Sequence, residues 1–169
     1  MTIQPQSTED SARIGEHDRH LFNEGTHQRL WHILGAHVES SGTHFAVWAP
    51  NARAAYLTGE FNDWSPDATP MAPVGNTGIW DVFVPGAGEG AHYKYRLVDA
   101  EGTELPLKSD PVGFGSQHPP ETASIVRDIS GYGWHDGDWM ETRADRNARS
   151  APISVYEVHL GSWQRKEKG

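Results

Sequence analysis

The sequence predicts a mainly β protein, an antiparallel β-sandwich, on three observations. From Gly42 onward the apolar residues recur with a period of two. The runs that carry this period are short and are separated by Gly, Pro, Asn and Asp clusters. Helical spacing occurs before them in only one short stretch. Short alternating strands with frequent turn signals are the pattern of two sheets packed face to face.

Taken in order, residues 1–20 are polar and mixed in charge, and read as a disordered tail. Thr26 is placed as an N-cap, with Leu30, Ile33 and Leu34 at helical spacing after it and Gly35 as the stop, which predicts a helix over 27–34. Thr43 to Ala49 reads as a strand ended by Pro50-Asn51, and Ala54 to Gly59 as the next, followed by the turn-rich Phe61-Asn62-Asp63-Trp64-Ser65-Pro66. Gly78 to Val84 and Ala91 to Val98 follow. In the latter, Tyr93, Tyr95 and Leu97 share one face and His92, Lys94 and Arg96 the other. Ala123 to Val126 reads as a last short strand.

The domain reading is therefore a sandwich over 21–130 and a polar linker over 131–152 containing one helical turn. Residues 153–169 come last. There Ile153 to Leu160 is apolar on both faces, as strands of a parallel sheet are. It reads as the opening of a further domain that the 169-residue chain does not continue.

Composition narrows the function. Net charge is −9, and the one basic cluster, Arg165-Lys166-Glu167-Lys168, reads as a solvated loop, so nucleic acid and acidic lipid surfaces are disfavoured. A neutral polymer is not repelled. There are no cysteines, which fits a cytoplasmic location, and the N-terminus lacks the apolar region of a signal peptide. The 10 histidines are scattered without an H-E-x-x-H pair, and His135-Asp136-Gly137-Asp138 lacks the remaining ligands of a calcium loop, so no metal or cofactor is expected. No serine lies in a G-x-S-x-G frame, and no pair of carboxylates stands in a recognisable catalytic setting.

The seven tryptophans are the better lead. Sugar rings present apolar C–H faces to aromatic rings and hydroxyl edges to polar side chains. Trp64 lies in a polar turn beside Asn62 and Asp63, and Lys94 lies on the polar face of its strand. The residues alone leave open whether Trp64 is a sugar platform or caps the sandwich edge. Trp48 and Trp80 are expected in the core, and Trp134 and Trp139 as anchors of the linker.

In their order along the chain these segments resemble a known family. Leu21-Phe22-Asn23-Glu24-Gly25-Thr26-His27, Leu34-Gly35-Ala36-His37 and Gly42-Thr43-His44-Phe45-Ala46-Val47-Trp48-Ala49-Pro50-Asn51-Ala52 look like the entry to the bacterial glycogen branching enzymes. Gly59-Glu60-Phe61-Asn62-Asp63-Trp64 is similar to the G-D-F-N-x-W signature of family 48 carbohydrate-binding modules, continued by Tyr93-Lys94-Tyr95 and Leu107-Lys108-Ser109-Asp110-Pro111. Pro152 to Trp163 resembles the first barrel strand of the catalytic domain. The Gly161-Ser162-Trp163 ending favours branching enzymes over trehalohydrolases and debranching enzymes.

The resemblance implies an immunoglobulin-like (early-set) sandwich ahead of a (β/α)₈ barrel of the α-amylase superfamily. That barrel moves an α-1,4-glucan segment to a 6-hydroxyl through a glucosyl-enzyme intermediate. Its catalytic Asp and Glu belong to later barrel strands, so no catalytic residue carries over and the chain alone is expected to be inactive. The expected partners are α-glucan and the catalytic barrel, and the expected sugar-binding residues are Trp64, Lys94 and Asn62. Glycogen-binding modules of kinase regulatory subunits carry a second aromatic where the resemblance places Leu107. A standalone interaction sandwich with no sugar role is the alternative from another class, and glucan binding separates the two.

Overall fold

In a computed structural model, which describes residues 13–163, the chain divides between Gly131 and Tyr132 into two units. Residues 1–12 of the expected tail and the basic cluster at 165–168 lie outside the described residues.

The first unit is the sandwich. One sheet has the order β1-β2-β5-β4, built from Gly35–Glu39, Gly42–Trp48, Ile79–Pro85 and Ala72–Pro73. The other has the order β3-β6-β7, built from Ala52–Gly59, His92–Asp99 and Ser124–Ile125. All pairings are antiparallel. Alternation explains the core. Phe45 and Val47 of β2 face Leu57 of β3 and Tyr93 and Tyr95 of β6, with Val126 closing one side. Phe45, Leu57, Tyr93, Tyr95 and Val126 are fully buried. The rings of Phe45 and Tyr93 meet edge to face at 4.9 Å.

Between the sheets sits one buried carboxylate. Asp110 Oδ2 accepts hydrogen bonds from the hydroxyls of Tyr93 at 2.7 Å and Tyr95 at 3.0 Å, and Asp110 Oδ1 accepts from the Val112 amide at 2.8 Å. Burial pushes the Asp110 carboxyl above its ordinary range. Burial beside Asp110 pushes both tyrosines well above theirs, so they remain donors.

A smaller apolar cluster covers the outer face of the β1-β2-β5-β4 sheet. Ala46 and Ile79 point outward there, and Ile14, Ile33, Leu34 and Val74 close over them. This cluster corrects the reading of the N-terminal region. Ile14 is buried, and Glu16–Asn23 form helix α1, so the disordered tail does not extend through residues 13–20. Glu16 and Asp18 in the first turn complement the helix dipole. The helix expected over 27–34 is a 3₁₀ turn, Leu30–His32, because Leu30, Ile33 and Leu34 are drawn onto the sheet face. Gly35, with φ of +94°, is not its stop: the turn closes at Ile33, and Gly35 opens β1, a strand the sequence reading missed.

The second unit holds helix α2, Gly137–Arg146, longer than the single turn expected in the linker. Trp134 and Trp139 are exposed and not buried anchors; Trp134 meets Tyr132 edge to face at 4.8 Å. Ile153 to Leu160 forms no strand. It is irregular up to a short helix α3, Leu160–Trp163, and Ile153, Val155, Tyr156 and Leu160 are exposed. A strand exists through its ladder, and among the described residues nothing pairs with this segment.

Both apolar clusters of the sandwich draw only on residues between Ile14 and Val126. Deleting residues 132–169 is therefore expected to leave the thermal midpoint of the sandwich within about 2 °C of the full chain, by calorimetry. A drop several times larger would mean that the second unit completes the fold.

Candidate functional site

β3 ends at Gly59, and the chain turns through a 3₁₀ turn, Glu60–Asn62, into Asp63 and Trp64. Both of the latter have positive φ, 52° and 58°. Successive left-handed residues without glycine cost energy and persist only where the surroundings hold them. Here the holding is explicit. The Asn62 side chain accepts from the Gly59 amide at 3.0 Å and donates to the Leu57 carbonyl at 3.0 Å and to Thr69 Oγ1 at 2.9 Å. The Trp64 amide donates to the Gly59 carbonyl at 2.9 Å.

Two further ties hold this loop to strand β6. Ahead of Trp64, the Glu60 carboxylate accepts from the His92 amide at 3.1 Å and pairs with His92 Nδ1 at 2.8 Å; the amide bond is the main reason its pKa is lowered. After Trp64, Asp67 pairs with Arg96 at 2.8 Å. Arg96 also forks onto Glu104 and lies 4.9 Å above the Tyr56 ring. His92, Lys94 and Arg96 alternate on one face of β6, so the loop carrying Trp64 is tied on either side of Lys94.

The structure thus brings Trp64 and Lys94 to the same end of the β3–β6 pair. Gly59, whose carbonyl holds Trp64, is in register with Tyr93, and Thr58 with Lys94. Trp64 is 39% exposed, too open for a core residue. Lys94 Nζ donates to Thr122 Oγ1 at 2.7 Å, one of the three donors an ammonium carries. Leu107 is exposed, next to Lys108, which exchanges two backbone hydrogen bonds with Tyr95. Asn62 differs from the other two. Both amide hydrogens are used inside the protein, so its side chain braces the turn from within.

Sequence reasoning missed the ties made by Glu60, Asp67 and Arg96. Their signal was present as charges at alternate positions of β6 and acids flanking the aromatic turn, but pairing across about 30 residues is not visible without the fold. It also misplaced Trp48, which is 55% exposed at the end of β2 and not in the core. Trp80 is partly buried against the core, its indole donating to the Ala49 carbonyl at 3.1 Å. No cluster of metal-ligating side chains occurs among the described residues.

The sequence is similar to known proteins. Residues 33–113 match carbohydrate-binding module 48, the isoamylase N-terminal domain. The chain is 60% identical over 165 residues to the 1,4-alpha-glucan branching enzyme GlgB of Jannaschia sp. (strain CCS1), a match covering 98% of this chain and 23% of that protein. It is 54% identical over 156 residues to the enzyme of the same name from Roseobacter denitrificans (strain ATCC 33942 / OCh 114), covering 90% and 21%. Among solved structures, a maltotriose complex of PulA from Klebsiella pneumoniae aligns with a TM-score of 0.47 at 27% identity, over 56% of this chain and 11% of that one. The chain spans under a quarter of the length of these curated relatives. With a family 48 carbohydrate-binding module in its sandwich and matches along nearly its whole length, the chain belongs to the 1,4-α-glucan branching enzyme family of the α-amylase superfamily, as its N-terminal part.

Proposed function

We propose that the sandwich binds α-glucan and delivers it to the catalytic barrel of a glycogen branching enzyme, working in the cytoplasm. Trp64 and Lys94 are the contacts, and Asn62 holds the turn that presents them. The observation that carries this reading is the half-exposed Trp64 ring on a turn fixed by three separate sets of polar contacts. A ring held in place loses little freedom when a sugar stacks on it, and binding then costs less. Lys94 supplies donors for a hydroxyl edge. The overall charge of −9 suits a neutral polymer.

The branching reaction itself requires barrel residues outside this chain, and the sandwich contributes substrate capture. One or two stacked rings and a few exchanged hydrogen bonds give weak affinity, roughly micromolar to millimolar. Co-sedimentation with glycogen tests the class of function. Retention of the chain by glycogen and not by dextran supports glucan capture. No retention at high protein concentration would favour a sandwich that serves only as a packing partner.

A further inference from the structure

We propose that a second α-glucan subsite lies at the other end of the sandwich, in the cleft beside Trp48; this rests on the glucan-binding reading above. The cleft measures about 220 Å³ and lies where β2 leaves one sheet and β3 begins the other. Trp48, Pro50, Leu97 and Leu105 give it apolar walls, and Asn51 and Asp99 give it polar groups.

The Trp48 ring beside it is fixed. Phe22 of α1 meets Trp48 edge to face at 6.1 Å. Below it, Gly78 has φ of +74°, and its carbonyl accepts from the Ala49 amide at 2.9 Å. A Cβ at Gly78 would lie 2.7 Å from Pro50 Cβ and 3.2 Å from Trp48 Nε1, so only glycine lets the backbone run this close under the aromatic. Despite this support, Trp48 remains 55% exposed. Asp99 is positioned by its own turn, accepting from the Thr103 amide at 2.7 Å through Oδ1.

A flat indole with apolar neighbours, an amide and a carboxylate on the rim suits a neutral hexose. Its C–H face stacks on the ring and its hydroxyls meet Asn51 and Asp99. Asp99 disfavours an anionic sugar.

The two subsites stand at opposite ends of β3. Ala52 lines the cleft, Gly59 holds Trp64, and the eight residues of the strand span about 23–26 Å at a rise of about 3.3 Å each. A polymer that engages both gains avidity that a short oligosaccharide cannot, because its second contact is intramolecular.

The test uses the 169-residue chain labelled with ¹⁵N and titrated with maltotriose, following the indole N–H resonances of Trp48 and Trp64. Both are expected to shift, each with its own affinity, and Trp48 is expected to keep shifting in Trp64→Ala. Trp48→Ala and the surface variant Asn51→Ala are each expected to weaken glycogen binding at least about fivefold while maltotriose still perturbs Trp64. If Trp64 responds and Trp48 does not, or if Asn51→Ala binds glycogen as the parent does, the second subsite is wrong and the glucan-binding reading stands. If neither indole responds, both are wrong.

Discussion

Replacing Asp110 by alanine is expected to lower the unfolding free energy of the sandwich by about 3–5 kcal/mol. The change leaves the hydroxyls of Tyr93 and Tyr95 without the acceptor they share, in a part of the core where both rings are fully buried. It also removes the acceptor for the Val112 amide, which shapes the segment leading away from the core. Asp110→Asn is expected to cost less. Its carbonyl still receives the tyrosines, although its amino group then meets the Val112 N–H. The two substitutions differ in a second way, through pH. Because burial raises the Asp110 pKa, the folded state holds this proton more tightly than the unfolded chain does. Asp110 therefore makes stability fall as pH rises from the ordinary carboxyl value of 3.8 through the raised one, and contributes no further change above it. In the Asp110→Asn variant, which retains the shared acceptor but has no proton to release, that part of the pH dependence disappears. Urea titrations at several pH values check both statements; an alanine variant as stable as the parent would remove Asp110 from its place at the centre of the core.

Gly59→Ala is expected to cost about 2–3 kcal/mol and to weaken glucan binding as well. The reason is space and not conformation, since Gly59 is fully extended with φ of −179°. A Cβ there would run into the His92 carbonyl oxygen and lie 2.8 Å from Phe61 Cε1. The carbonyl belongs to the paired strand, so β3 and β6 must part where the Trp64 loop is tied down. Thermal denaturation and glycogen affinity measured on one preparation check it. Full stability with normal binding would show that this strand end adjusts freely and that the turn is not rigidly presented.

The strands were legible in the sequence where one face is buried and the other wet. Residues 91–98 illustrate this, with Tyr93 and Tyr95 inward and Lys94 and Arg96 outward. β1 was hidden because Gly35 can end a helix as readily as begin a strand, and the apolar spacing of Leu30, Ile33 and Leu34 serves a sheet-covering segment as well as a helix. β4 was hidden because two residues, one of them proline, carry no periodicity. At the site, the residue types were readable and their assembly was not. Trp64 and Lys94 are 30 positions apart (94 less 64), and the ties at His92 and Arg96 that bring their segments together depend on strand register. Asn62 looked like a ligand because an amide suits a sugar hydroxyl. Its donors turn inward because the turn has buried acceptors, the Leu57 carbonyl and Thr69 Oγ1, that no pattern along the chain reveals.

The claim that the Trp64 turn is a glucan platform is tested most directly by the dissociation constant of the chain for soluble glycogen, measured for the parent and for Trp64→Ala. Trp64 is exposed enough that its truncation is expected to leave the thermal midpoint nearly unchanged, so a binding loss is not a folding loss. The account predicts affinity weaker by about tenfold or more, corresponding to about 1.4 kcal/mol of lost stacking. Equal affinity of the two proteins, with both folded, would contradict it.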